Sequence, residues 1–335
     1  MKEIRSSGRW FVIPALFAVV FVAFGCATSG GGGESGEYPG GQPVRLVAPA
    51  EPGSGWDVTA RTSAEVLEGQ QIIDHPLPIE NRAGATGAVW LSQMVNEYEG
   101  EDDVIAMTST PIMSNKLRGD SDYGYEDVTM ISRIITEYYM VAVPADSPYD
   151  SLEDLLNAAK EDPGSVPVGA AGDDRLPFAL LLDAAEGNPE EINFVAYEGG
   201  GEQIAALLNG DIKAAVAGVS EFRGQLESGD LKGLAVLKDE RLEPPLDDMP
   251  TAPEEGYDVT LDNWRGIYGP PGMSDEAVTY WQETMKEMVE TEAWKKAADK
   301  NQWDTTYMQD KELKTYLDKT YGEVRSAMEG TGEIQ

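Results

Sequence analysis

The chain has 335 residues, with 25 Lys and Arg against 60 Asp and Glu and a formal net charge of −35 at neutral pH. So acidic a surface excludes the basic footprint that nucleic-acid binding needs, while 7 Trp and 14 Tyr argue for a packed core rather than a disordered acidic tail. At molar salt the Debye length falls to about 3 Å, so the acid excess suits a high-salt habitat; a soluble acidic extracytoplasmic protein is the other reading.

Lys2, Arg5 and Arg9 precede an apolar run over residues 10–25, the layout of a secretory signal. The run closes at Ala23-Phe24-Gly25-Cys26, and Cys26 is the single cysteine. Small residues at 23 and 25 before a cysteine resemble a lipoprotein processing site, in which Cys26 takes the lipid and residues 1–25 are removed. The alternative is an uncleaved anchor, but the run is short against the roughly 20 apolar residues that a span needs. From Cys26 the segment to residue 42 is rich in Gly and Ser and reads as a flexible tether. The folded part is therefore expected outside the cytoplasm, held at the membrane through lipid on Cys26.

The elements then alternate. Residues 44–49 read as a buried strand and 58–67 as a helix, followed by a strand at 77–80, a helix at 86–95 and a strand over Val104–Thr108. Residues 131–135 and 139–144 read as two further strands. Ser151 with Asp154 forms a capping box that opens a helix to residue 160. Strands follow at 166–170, 192–197, 212–216, 231–236 and 264–268, with helices between 175 and 185 and at 203–208. Beyond Pro270-Pro271 the pattern is mainly helical, over 275–289, 292–300 and 310–328.

Alternating strands and helices imply an α/β fold of two lobes, each a mostly parallel sheet flanked by helices. The division expected is 43–142 plus 266–335 for lobe 1 and 143–265 for lobe 2. Two crossings make a hinge, and a cleft between lobes is a favoured ligand site. Each lobe also carries a glycine-rich turn between a strand and a helix. The first is Pro52-Gly53-Ser54-Gly55-Trp56-Asp57 and the second Glu198-Gly199-Gly200-Gly201-Glu202. Glycine permits a sharp turn, a positive φ and close approach of a ligand, and a helix start offers unpaired N–H groups to an anion. Two ordinary strand–helix turns without a ligand are the plainer reading of the same pattern.

These segments resemble the substrate-binding receptors of tripartite tricarboxylate transporters. The resemblance is carried by Ala48-Pro49 with Pro52 through Arg61, by Phe194 through Glu202, and by Glu80-Asn81-Arg82-Ala83-Gly84-Ala85-Thr86-Gly87. It extends to Leu234-Ala235-Val236, Pro250-Thr251-Ala252, Glu255-Gly256-Tyr257 and Arg265-Gly266, and so covers about residues 44–330. It implies a periplasmic-binding-protein fold that closes on a carboxylated metabolite and delivers it to a membrane permease, without cofactor or metal, as a monomer. The ligand-binding residues it implies in lobe 1 are Gly53, Ser54, Gly55, Trp56 and Asp57, with Thr108 and Ser109 placed by position after the third strand. In lobe 2 they are Gly172, Asp173, Gly199, Gly200, Gly201, Glu202 and Ser220. The Glu198–Glu202 turn resembles the tricarboxylate-binding branch, so a citrate-like cargo leads and a dicarboxylate or aromatic acid is the alternative. Where many relatives carry a Ser-rich turn, this chain has Ala171-Gly172-Asp173-Asp174.

Several of these residues have structural readings too. Asp57 and Arg61 are spaced for an ion pair on one helix face. Trp56 either walls the cleft or packs into the core. Glu202 either complements a helix N-terminus or meets a ligand hydroxyl or a ligand-borne metal. Arg82, Arg175 and Arg265 are candidate carboxylate clamps. An enzyme finds little support: there is one histidine, His75, and no Cys–His pair or G-x-S-x-G elbow, which leaves a two-carboxylate hydrolase as the catalytic alternative.

Overall fold

A computed structural model describes residues 38–40 and 43–334, so the expected leader, Cys26 and most of the tether lie outside it. Tyr38, inside the expected tether, is anchored: its hydroxyl donates to the Asp102 carbonyl at 2.7 Å and accepts from Trp281 Nε1 at 2.9 Å.

In the first lobe, β1 (Arg45–Ala48), β2 (Ile79–Asn81) and β3 (Val104–Thr108) alternate with α1 (Gly55–Gly69) and α2 (Ala88–Glu97), and α3 (Pro111–Arg118) leads into the long strand β4 (Thr129–Pro144). The second lobe follows: α4 (Leu152–Glu161), β5 (Val168–Ala171), α5 (Arg175–Ala184), β6 (Phe194–Tyr197), α6 (Gly200–Asn209), β7 (Ala214–Gly218), α7 (Val219–Ser228) and β8 (Leu231–Val236). The chain returns to the first lobe through β9 (Asp262–Gly269), α8 (Asp275–Glu290), α9 (Glu292–Asn301), β10 (Asp304–Gln309) and α10 (Asp310–Gly330).

The strand order is β2-β1-β3-β9-β4-β7-β5-β6, with β8 and β10 also paired to β4. The outer pairs β1–β2, β1–β3, β5–β6 and β5–β7 are parallel. Every pairing of β4 is antiparallel, as is β3–β9. The sheets are therefore mixed, where the sequence pattern implied mostly parallel ones. The reason is that β4 and β9 carry the chain between lobes, so they do not return over a crossover helix as parallel neighbours must.

The two strands expected over 131–144 are one. Its residues up to Tyr138 pair with β9 and β10, and those from Tyr139 pair with β7 and β8. Buried Arg133, Thr136 and Glu137 interrupt the apolar pattern without ending the strand. Arg133 lies over the Tyr316 ring at 4.1 Å from its centroid, so its charge is accommodated inside the packing.

Helices cover both faces of each sheet. In the first lobe α1, α8 and α9 pack Ala60, Trp281 and Trp294 against Leu46 and Ile105, while α2, α3 and α10 bring Trp90, Met113 and Leu317 to the other face. In the second lobe α4 and α5 bury Leu155 and Phe178 against Val168, and α6 and α7 bury Leu207 and Phe222 against Ala215. The last turns of α10 reach across: Val324 and Met328 pack on Leu176 of α5. The C-terminal helices thus pack on the first lobe as expected, with their end touching the second. Helices α3 and α7 and strand β10 have no counterpart in the sequence pattern.

Candidate functional site

The two lobes meet around a cavity that both of them line. Its first-lobe wall is the turn from β1 into α1. Ser54 caps the helix: its hydroxyl accepts from the Asp57 N–H at 3.4 Å, and its carbonyl takes the first helical bond from Val58 at 2.9 Å. That leaves the N–H groups of Gly55 and Trp56 without intrahelical partners at the positive end of a 15-residue helix. Ser54, Gly55, Trp56 and Ser109 all line the cavity, and Trp56 Nε1 donates to Ser109 Oγ at 3.1 Å. Trp56 both walls the cavity and packs with the α1–α8 core.

Gly53 and Asp57 shape this turn from behind. Gly53 has φ +85°, and its N–H donates to Asp57 Oδ2 at 2.8 Å. Asp57 also accepts from Arg61 Nε at 2.9 Å and from Asn81 Nδ2 at 2.8 Å. Burial raises the Asp57 carboxyl, but the bonds from Arg61, Gly53 and Asn81 outweigh it and hold the group below the usual carboxylate range. The positive φ of this turn belongs to Gly53. Gly55 is needed for close approach, since a Cβ there would overlap the Arg265 guanidinium.

Arg265, from β9, is the cation that lines the cavity. It is 3 % exposed, and its guanidinium donates to Glu137 of β4, which is fully buried. The other Glu137 oxygen accepts from the Ser220 N–H at the start of α7, at 2.8 Å. Ser220 is thus tied behind the cavity wall, and its hydroxyl is buried. Arg82 and Arg175, the other candidate clamps, pair instead with Glu80 at 3.1 Å and Glu333 at 2.9 Å.

The second-lobe wall holds Tyr139, Ala171, Gly172, Asp174, Tyr197, Glu198, Gly199 and Glu221. Its glycine turn faces the first lobe: a Cβ on Gly199 would stand 3.2 Å from Ser54 Cβ. A second crossing point joins Gly172, with φ +51°, to Thr86, which would collide with any Cβ there. Two of the turn's amides are already engaged. Gly200 N–H donates to Glu221 Oε2 at 3.0 Å, and Glu198 N–H donates to Glu202 Oε2 at 3.0 Å. Glu202 thus complements its own helix start, and Gly201 stands in open space outside the cavity wall.

Two acids missed by the sequence reading dominate this wall. Burial raises Asp174 well above the carboxylate range, reinforced by Glu221 and Asp173 and opposed by Arg265. Burial likewise pushes the Glu221 carboxyl up to about 7, with Arg265 lowering it and Glu137 raising it. Among the described residues no donor reaches the Asp174 carboxylate. The sequence offered one hint, the Asp173-Asp174 pair in place of hydroxyls. Asp173 itself turns away from the cavity to bond Ser114 of α3, and its Oδ1 lies 2.8 Å from Arg118 Nη2. Thr108 lines a separate small pocket with Trp56, Thr86 and Asn115. Asn263 and Tyr139 complete the cavity lining and carried no sequence signal.

The family described as "Tripartite tricarboxylate transporter family receptor" matches residues 59–330. Over 328 residues the chain is 23% identical to the "UPF0065 protein in gbd 5'region" of Cupriavidus necator, covering 97% of this chain and 98% of that one. A Rhodopseudomonas palustris protein solved with adipate superposes with a TM-score of 0.79 at 21% identity, covering 88% of this chain and 98% of the other. A second protein from that organism, MatC with bound malate, gives 0.71 at 17% identity, covering 88% and 99%. The fold is that of periplasmic binding proteins. The chain belongs to the tripartite tricarboxylate transporter receptor family.

Proposed function

We propose that this chain is an extracytoplasmic solute receptor. It takes one small carboxylate into the cavity between its lobes and presents the closed complex to the membrane permease of its transporter. The observation that carries this reading is the α1 turn. The Gly55 and Trp56 N–H groups stand free at a helix N-terminus beside the buried Arg265 guanidinium, and both face an interlobe cavity. Charge-assisted hydrogen bonds of this kind are about twice as strong as neutral ones. Adipate and malate in the related structures support a short carboxylate as cargo.

The lobes would move as bodies hinged where β4 changes partners, near Tyr138 and Tyr139, and along the return into β9. Residues 1–25 would be removed and Cys26 lipidated, so that residues 27–37 tether the receptor to the membrane; Cys26→Ser would leave it in the soluble fraction. The citrate-like cargo suggested by the Glu198–Glu202 turn gains no support from the Glu198 and Gly200 amides, which are taken by Glu202 and Glu221. A thermal-shift panel of mono-, di- and tricarboxylates tests the reading. A true cargo at 100 times its Kd adds about 2.7 kcal/mol of apparent stability. A panel that leaves the melting temperature unmoved throughout would overturn it.

A further inference from the structure

The walls of the cavity are asymmetric in charge. On the first-lobe side stand two free amides and Arg265. On the second-lobe side stand Asp174 and Glu221. Anion positions at the helix starts of the second lobe are filled by the protein's own carboxylates: Glu221 bonds the Gly200 amide of α6, and Glu137 bonds the Ser220 amide of α7. Arg265, the one cation lining the cavity among the described residues, already shares its charge with Glu137. The cavity therefore offers a place for one carboxylate. A second carboxylate on the ligand would face Asp174 and Glu221 across a low-dielectric space, where like charges repel strongly. A cation there would instead find two acids and an Asp174 carboxylate with no donor from the protein.

We propose that the cargo is a small zwitterion: its carboxylate lies on the Gly55 and Trp56 amides and Arg265, and its protonated amine lies on Asp174 and Glu221. This rests on the receptor reading above and narrows its ligand class. An ammonium suits the place because it brings three donors and one charge to Asp174, which has no donor among the described residues, and to Glu221, whose donors are the backbone N–H groups of Gly200 and Gly218. Burial inclines both acids to hold a proton, and an ammonium against them would restore the ionised form. Bound in this way, the ligand would exchange its amine charge for protons released from the wall.

The test is titration calorimetry of the native protein with ligand pairs that differ only by an amino group: alanine and propionate, 4-aminobutyrate and butyrate, 5-aminovalerate and valerate, glutamate and glutarate. In at least one pair the amino member is expected to bind 10-fold or more tightly than its partner. That ratio should collapse toward one in both Asp174→Asn and Glu221→Gln. An amino preference that survives both substitutions places the ammonium elsewhere and overturns the assignment. So does a pair series in which only the desamino members bind, although the carboxylate receptor then stands. If no amino member binds, the zwitterion assignment fails, and the receptor reading is decided separately by the carboxylate panel.

Discussion

Arg265 lies so close against Gly55 that a Cβ at residue 55 would overlap its guanidinium. A buried arginine tied to Glu137 cannot swing away at small cost, so Gly55→Ala should displace it from the α1 turn. Losing one charge-assisted bond costs about 1.5–3 kcal/mol, or roughly 10- to 150-fold in affinity. Gly201→Ala, where a Cβ meets open space, is the control and should bind like the parent. Calorimetric titration of the two variants with the best ligand of the panel measures the difference.

Glu221 sets a pH dependence whose sign depends on the ligand. Its carboxyl titrates near 7, in contact with the Gly200 amide of α6 and under the charges of Arg265 on β9, Glu137 on β4 and Asp174 before α5. Because the group is raised, it is protonated below that value and ionised above it. Affinity for an amino-carboxylate should therefore rise between pH 6 and pH 8, and affinity for a plain dicarboxylate should fall. Titrations at three pH values across that window give the two slopes.

Asp57 acts through the loop. Its carboxylate joins Gly53, Arg61 and Asn81, so Asp57→Ala should cost about 2–3 kcal/mol of stability by stranding these donors. Since its folded pKa is depressed, the contribution of Asp57 is present above the unfolded carboxylate value and is lost as pH falls through the folded one. Chemical denaturation of parent and variant should thus differ at pH 7 and converge in acid.

Asp173 of the second lobe meets Ser114 and Arg118 of α3, and Arg118 also lies 3.6 Å from Glu333 beyond α10. These contacts tie the two lobes together. Arg118→Ala should raise the open population and weaken binding by roughly 10-fold, about 1.4 kcal/mol. Small-angle scattering should then report a larger ligand-free radius of gyration than in the parent.

The net charge of −35 predicts that melting temperature rises from low to molar salt, as screening removes self-repulsion. A flat or falling curve would remove the high-salt reading while leaving the receptor reading intact.

The legible parts of the fold are those where local chemistry matches the final structure. Strand β3 is an apolar run buried at every position, bounded by Asp102 and Asp103. The capping box at α4 forms as its sequence dictates: Ser151 Oγ accepts from Asp154 N–H, and Asp154 Oδ2 accepts from Ser151 N–H, each at 3.1 Å. Strand β10 was not legible because its residues are polar and half-exposed and its pairing to β4 is long-range. Helix α7 hides a two-residue apolar anchor, Val219 and Phe222, among polar residues. At the site, the α1 turn was readable because glycine, cap and helix are contiguous. Arg265 was readable only as one of three candidate clamps and Asp174 only as half of an acid pair, while Glu137 and Glu221 carried no signal, since only folding brings these residues together and any acid is one among 60.

On the receptor reading, the Arg265–Glu137 pair beside the α1 turn makes the carboxylate position. Replacing both residues by methionine removes both charges together, which buried pairs often tolerate, although the Ser220 N–H then loses its acceptor. Calorimetric titration of Arg265→Met/Glu137→Met with the best ligand of the panel, after its melting has been matched to the parent, is the most direct test. Affinity should fall by about 10- to 150-fold, the loss of a charge-assisted bond. A folded double variant that binds as tightly as the parent would contradict the account.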